Sequence, residues 1–202
     1  MKIETIDVSG FRAAMTAMRN PMNSWAKNDS SDEYIGPNDK DLSLRLQKAG
    51  PEHCKHLRMI QVWANIEAPR EWLIQLDTYR FGVEKISCST MHKLTSRDFT
   101  PDDFDMDCEQ DKTIAVKRLN DLLHAYKEAE SEEDKKRIWR RLIQNLPQSY
   151  IQRRTYMFSY AALRNIVKQR QGHKLKEWTQ FINWVNSLPY SWMIFDGGES
   201  NA

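Results

Sequence analysis

The chain has 202 residues, 29% of them charged, with 30 Lys and Arg against 28 Asp and Glu for a formal net charge of +2. This length predicts one domain, residues 1–202, with a core of its own, and so even a balance excludes the concentrated basic face of a nucleic-acid binder. Cys54, Cys88 and Cys108 are odd in number, widely spaced and without a Cys-x-x-Cys pair, which argues against a disulfide framework or a zinc site and for a reducing compartment. The opening MKIETIDVSGF lacks the apolar core of a signal peptide. No apolar run approaches the roughly 20 residues of a membrane span, so the expectation is a soluble, cytoplasmic protein.

Ile3, Ile6 and Val8 predict a first strand, after which Ser9 can cap a helix carrying Phe11, Ala14, Met15 and Met18 on one stripe. Asn20-Pro21 ends it. Residues 24–40, SWAKNDSSDEYIGPNDK, are polar and read as a long loop, a length that is often functional. A helix follows with Leu42, Leu46 and Ala49 inward and Gly50-Pro51 as its stop. Ile60, Val62, Ala64 and Ile66 alternate with Gln61, Trp63 and Asn65, the period of a half-buried strand. Pro69 suits the first turn of a helix with Trp72, Leu73 and Leu76 inward.

After Gly82, EKISCSTMHK shows no helical pattern, and DFTPDDFDMD reads as an acidic loop. Val116, Leu119, Leu123 and Tyr126 predict a helix over 113–128. Ile138, Leu142 and Ile143 predict another over 132–144, opened by Ser131 and Asp134 in a near capping box and broken at Leu146-Pro147. Leu163, Ile166 and Val167 lie on one stripe, and Leu175, Trp178, Phe181, Ile182 and Val185 on the last. There are no internal repeats. The pattern is α+β, mostly helical, with a few strands early in the chain.

Glycine-rich nucleotide loops, HExxH and GxSxG are all missing. Asp102, Asp103, Asp105 and Asp107 do not fit a calcium loop, which needs a Gly and a distant Glu, and a solvated acidic loop is the plain reading. Arg170 occupies the i+7 position of the Leu163 stripe, where a core residue is expected. It can serve a helix C-terminus ahead of Gly172 or face a buried anion, and local pattern leaves both open. Arg80 carries the same ambiguity, and His173 reads equally as a turn residue or a ligand contact.

In order along the chain, MRNPMNSW, VWANIEAPREWLIQLDTYR, ISCSTMHKL and LPQSYIQRRTYMFSYAALRNIVKQR resemble the ordered motifs of the flavin-dependent thymidylate synthases, also called thymidylate synthase-complementing proteins. The resemblance implies a helix-rich α+β single domain with a small, mostly antiparallel sheet. It places Ser24 at the family's N-terminal serine and Gln75 at a nucleotide-contacting glutamine. Arg80 falls at the second arginine of an Arg-His-Arg motif whose first two positions are Thr78 and Tyr79 here. Ser89, or Ser87 as the fallback, falls at the active-site serine, with Met91-His92 where the family has Arg-Tyr. Asn165 matches a flavin-contacting asparagine, Arg170 the arginine that grips the pyrimidine, and His173 a frequent histidine. Ser159 and Ala161 stand where the C-terminal box has an asparagine and an arginine.

What the resemblance implies is FAD-dependent transfer of a one-carbon unit from methylenetetrahydrofolate to C5 of dUMP, giving dTMP, with NADPH as reductant. Arg170 and Ser89 would be catalytic. Gln75, Arg80, Ser87, Ser89 and Arg170 would contact dUMP, and Ser24, Thr78, Tyr79, Arg80, Asn165 and His173 would contact FAD. It also implies a homotetramer with sites assembled across subunit boundaries, and no metal. The departures point to two alternatives: a related C5 modification such as hydroxymethylation, or a nucleotide-binding homologue that has lost catalysis.

Overall fold

The structure, a computed structural model, describes residues 1–195. Strand β1 (Lys2–Ser9) forms where Ile3, Ile6 and Val8 predict it. Helix α1 (Phe11–Ala17) follows with Gly10, not Ser9, at its N-cap; Gly10 has φ 96° and no side chain caps the helix. Ser9 is spent as the last residue of β1, which corrects the expected cap. Ala14 and Met15 are fully buried, as their spacing predicts.

The stretch 24–40 is more ordered than a loop. It contains a 3-10 turn at Trp25–Lys27 and the start of helix α2 (Pro37–Ala49), with Pro37 in its first turn. A buried ion pair organises it: Arg19 Nε donates to Asp39 at 2.6 Å, the two side chains 4% and 0% exposed. Asp39 also accepts from the Ser30 hydroxyl at 2.6 Å and the Asp29 amide at 3.2 Å. The Asp29 carboxylate in turn accepts the amides of Asn38 and Asp39 at 2.8 and 3.0 Å, capping α2 from across the loop. Gly36 is required there, because a Cβ would lie 2.2 Å from the Asp29 carboxyl carbon.

The buried row of α2 is Asp39, Ser43 and Gln47, while Leu42 and Leu46 are half-buried and Ala49 is exposed. The expected apolar face is therefore corrected to a polar one. Its i, i+4, i+8 spacing is helical, and burial is tolerated because each group finds a hydrogen-bond partner.

Strand β2 (Gln61–Pro69) has Val62, Ala64 and Ile66 fully buried, as the alternation predicts. Helix α3 (Arg70–Leu76) starts after Pro69 and buries Trp72, Leu73 and Leu76. Then come strand β3 (Val83–Ser87), the short helix α4 (Thr90–Lys93), α5 (Glu109–Glu128), α6 (Glu132–Asn145), strand β4 (Ile151–Ser159), α7 (Tyr160–Arg170) and α8 (Lys176–Asn186). Ser131 caps α6 by accepting the Asp134 amide at 3.0 Å, as predicted.

The sheet order is β1-β2-β4-β3, with antiparallel neighbours. Asn65 donates to Glu4 on one side and accepts from Thr155 on the other, Glu67 meets Arg153, and the Gly82 carbonyl accepts the Ser159 amide. β3 and β4 lack a visible period in the sequence. In β4 the polar residues have partners to meet: Arg153 pairs with Glu67, Arg154 grips both oxygens of Asp77, and Thr155 bonds Asn65.

The chain divides into two compact units. One comprises Met1–Lys2, Glu67–Asp77 and Ile86–Arg154; the other comprises Ile3–Ile66, Thr78–Lys85 and the chain from Thr155 onward. In the first, α5 and α6 pack together over a cluster of Leu94, Phe99, Phe104, Leu119, Leu123 and Leu142. Its acidic loop is tied down by an Arg97–Asp103 ion pair, and no cluster fit to hold a metal occurs among the described residues. In the second, Tyr156 stacks on Phe158, Phe158 meets Phe181 edge-on, and Phe181 lies tilted against Trp184. No helix among the described residues is long and apolar enough to cross a membrane.

Asp39→Asn leaves the buried Arg19 without its counter-charge and is expected to cost about 3–5 kcal/mol. Breaking the exposed Arg12–Asp32 pair should cost less than about 1 kcal/mol. Urea unfolding compares the two, and equal small losses would show that the buried pair does not organise the 24–40 segment.

Candidate functional site

Every α7 residue of interest is aimed by the junction between β4 and that helix. The Ser159 amide donates to the Gly82 carbonyl at 2.8 Å, and the Tyr160 amide to the Ile60 carbonyl at 3.0 Å. The Ser159 hydroxyl caps α7 by accepting the Ala162 amide at 3.2 Å. Gly82 has φ +70°, and a Cβ there would lie 2.4 Å from that hydroxyl. The Tyr160 hydroxyl donates to the Pro189 carbonyl, and burial raises this phenol well above its ordinary pKa.

Two rows leave this junction along α7. Leu163, Ile166 and Val167 form the buried stripe. Beside it, Ala161, Arg164, Asn165 and Lys168, at i, i+3, i+4 and i+7, line a cavity of about 670 Å³ shared with Gln47, Lys48, Cys54 and Arg58. A buried relay stands behind it. Arg164 Nη1 donates to Gln47 Oε1 at 3.0 Å, Gln47 Nε2 donates to the Ser43 hydroxyl at 3.2 Å, and that hydroxyl meets His56 Nε2 at 2.9 Å. Burial drops the His56 pKa to about 4; the nearby His53 backbone opposes this and the Arg164 charge adds to it.

A smaller cleft of about 230 Å³ is lined by Thr78, Tyr79, Arg80 and Phe81 with Ala162, Asn165 and Gln169, so Asn165 borders both cavities. The Tyr79 hydroxyl donates to Gln169 Oε1 at 3.1 Å and accepts from Arg170 Nε at 2.8 Å. The Arg170 guanidinium lies 4.6 Å from the Trp178 ring centroid and 5.5 Å from that of Tyr79. Ring faces attract a cation, which is how a guanidinium occupies the i+7 position of an apolar stripe. Arg170 is also the last residue of α7. His173 lies edge-on to Trp178, and its Nδ1 accepts the Leu175 amide at 3.1 Å.

Thr78, Tyr79, Arg80, Asn165, Arg170 and His173 thus belong to one unit. Ser24 belongs to the same unit and is half-buried at the head of the 3-10 turn; Ser24, Arg170 and His173 line neither cavity. Gln75, Ser87 and Ser89 belong to the other unit. Gln75 is half-buried near the end of α3, Ser87 is exposed at the end of β3, and Ser89 caps α4 by accepting the His92 amide at 3.2 Å. Sequence reasoning missed Arg164, Lys168, Gln47, Lys48 and Arg58. The signal available for the α7 residues was the polar row Arg164, Asn165 and Lys168, running at helical spacing beside the apolar one.

The four-stranded antiparallel sheet and the helices attached to it form the fold of flavin-dependent thymidylate synthase. Two solved structures of ThyX from Helicobacter pylori, each holding FAD and dUMP, share it. One is 20% identical with a TM-score of 0.75 over 96% of both chains; the other is 19% identical with a TM-score of 0.75 over 95% of both. No protein-family profile matches the sequence, and no curated protein does.

The His56 pKa sets a pH dependence of stability. The folded chain holds it at about 4 against 6.5 for the free side chain, so between these values the unfolded chain binds more protons. The neutral-imidazole contribution is complete above pH 6.5 and is lost as pH falls toward 4, by up to about 3 kcal/mol. Urea unfolding at pH 7 and pH 4.5 should show this loss in the parent chain and a smaller one in His56→Gln. The same loss in both would remove His56 as its source.

Proposed function

We propose that this protein is a divergent flavin-dependent thymidylate synthase. In this reading it transfers a one-carbon unit from methylenetetrahydrofolate to C5 of dUMP, with FAD as cofactor and NADPH as reductant, as a cytoplasmic homotetramer. The observation that carries the reading is Arg170, a guanidinium set between Tyr79 and Trp178, in a fold shared with proteins whose structures hold FAD and dUMP.

The larger cavity fits a flavin dinucleotide on two grounds. Its volume of about 670 Å³ falls in the roughly 300–1,000 Å³ range of ligand sites. Its donors, Arg164, Lys168, Lys48 and Asn165, suit an anionic middle, and Leu44, Pro51 and Leu57 offer apolar wall. Bound reduced flavin would supply the hydride, the chemistry the protein itself lacks.

The protein's share is orientation and electrostatics. A uracil becomes nucleophilic at C5 as negative charge builds on N3 and the adjacent carbonyl edge. An arginine stays ionised at any working pH and can donate two parallel hydrogen bonds there. Arg170 is assigned that role, and its contacts with Tyr79 and Trp178 reduce the reorganisation needed at the moment of reaction. Arg80 is assigned to flavin and nucleotide phosphate. Gln75 and the hydroxyl of Ser89, with Ser87 second, are assigned to the nucleotide. Asn165, which borders both cavities, is assigned to the flavin with Thr78 and Tyr79 of the smaller cleft, and the resemblance alone assigns Ser24 and His173 to it.

A second reading, a nucleotide-binding homologue without turnover or with a changed C5 product such as a hydroxymethyl group, draws on two positions. Ser159 is occupied as the cap of α7, and Ala161 offers no polar contact at all.

FAD added to the purified protein should show shifted flavin absorbance, and dUMP should shift it again. Arg170→Ala should retain FAD uptake and lower dTMP formation roughly 100- to 1,000-fold, the cost of removing one preorganised donor. A protein that takes up neither FAD nor dUMP overturns the proposal, and one that binds both without forming product leaves the second reading standing.

A further inference from the structure

Lys48, Arg58, Arg164 and Lys168 all line the larger cavity, and none of its described lining residues is acidic. Four like charges around one concavity raise a positive potential that favours an anion inside it. Three of them are exposed side chains on flexible stems. Arg164 differs, being half-buried and held by a relay reaching into the protein.

The relay members Gln47, Ser43 and His56 are 6%, 0% and 3% exposed. Each hydrogen bond fixes the next group: His56 meets Ser43, Ser43 accepts from Gln47, and Gln47 accepts from Arg164. Holding an arginine still costs up to about 2 kcal/mol of rotamer entropy, a cost to which a purely structural surface charge need not be put. A planar guanidinium already oriented is suited to forked hydrogen bonds with phosphate oxygens.

Position 161 strengthens the argument. The C-terminal box of the resembled family carries an arginine where this chain has Ala161, and Arg164 lies one helical turn further on. Both line the same cavity. The small side chain at 161 leaves room, and the shift along the axis is only about 4.5 Å at 1.5 Å per residue.

We propose that Arg164 is the phosphate-gripping side chain of this cavity, positioned through Gln47 by the buried Ser43–His56 pair, and that the cavity takes a diphosphate-bearing ligand. That the ligand is a flavin dinucleotide rests on the function proposed above; that it bears a diphosphate rests on the cavity. Lys48, Arg58 and Lys168 supply general positive potential, and Arg164 supplies geometry. Gln47 is a positioning residue, since it acts on the ligand through Arg164.

The test is calorimetric titration of the full chain with FAD, inorganic pyrophosphate and riboflavin, the last carrying the flavin ring without phosphate. Arg164→Ala is expected to weaken FAD and pyrophosphate 10- to 100-fold and to leave riboflavin affinity unchanged. Arg164→Lys, which keeps the charge without the fork, should recover part of the loss and serves as the reading if Arg164→Ala does not fold. Gln47→Leu should weaken pyrophosphate several-fold without altering riboflavin binding, a selectivity that general damage to the fold would not produce. Pyrophosphate binding that depends on Arg164 in a chain that ignores FAD supports this proposal and ends the flavin reading. FAD binding indifferent to both Arg164 substitutions overturns this proposal and leaves the flavin reading intact. Binding of none of the three overturns both.

Discussion

The departure of α7 from β4 governs what the rest of the molecule can do. At Ser159 and Tyr160 two backbone amides are taken up by Gly82 and Ile60 within a single step of chain, and the Ser159 hydroxyl closes the first turn of the helix. Gly82 is what lets the backbones approach, since any side chain there would collide with that hydroxyl. A helix held this firmly at its start presents fixed faces along its 11 residues. Its apolar row joins the core, its polar row lines the larger cavity, and its last residue is Arg170.

The polar residues buried on α2 all have hydrogen-bond partners. Asp39 takes three donors and in exchange orders the segment before α2. Ser43 and Gln47 continue the same row and hand their hydrogen-bonding capacity to His56 and Arg164. An unpaired group at any of these places would carry a desolvation penalty of about 1–3 kcal/mol, more if charged. One face of α2 thus links the order of the 24–40 segment to the wall of the cavity.

Arg170 and Arg164 show two ways in which neutral groups orient a cation. Arg170 rests against aromatic faces and a phenol oxygen, and Arg164 is tied by a neutral amide. In both, the groups that orient the guanidinium are themselves uncharged. Tyr79 stands where the resembled family has a histidine, and its hydroxyl bridges Gln169 and Arg170. That departure from the family pattern has become part of the support for Arg170.

Local chemistry determined much of the framework. The alternation from Ile60 to Ile66, the stripes of α1, α5, α6 and α7 and the Ser131 cap are all properties of neighbours in the chain, and each appears in the structure. Of the residues the ordered motifs single out, Thr78, Tyr79, Arg80, Asn165 and Arg170 lie in one unit, and Gln75, Ser87 and Ser89 lie in the other. What only the tertiary structure decided lies where a residue's partner is distant. β4 has no readable period because Arg153, Arg154 and Thr155 answer to Glu67, Asp77 and Asn65, between 77 and 90 residues away. Nothing near Asp39, Ser43 and Gln47 marks them as inward, since a polar row can be buried only when other segments bring it partners. Arg164 was passed over for the same reason: hydrophobic periodicity finds the face that avoids water, and a cavity is lined by the face beside it.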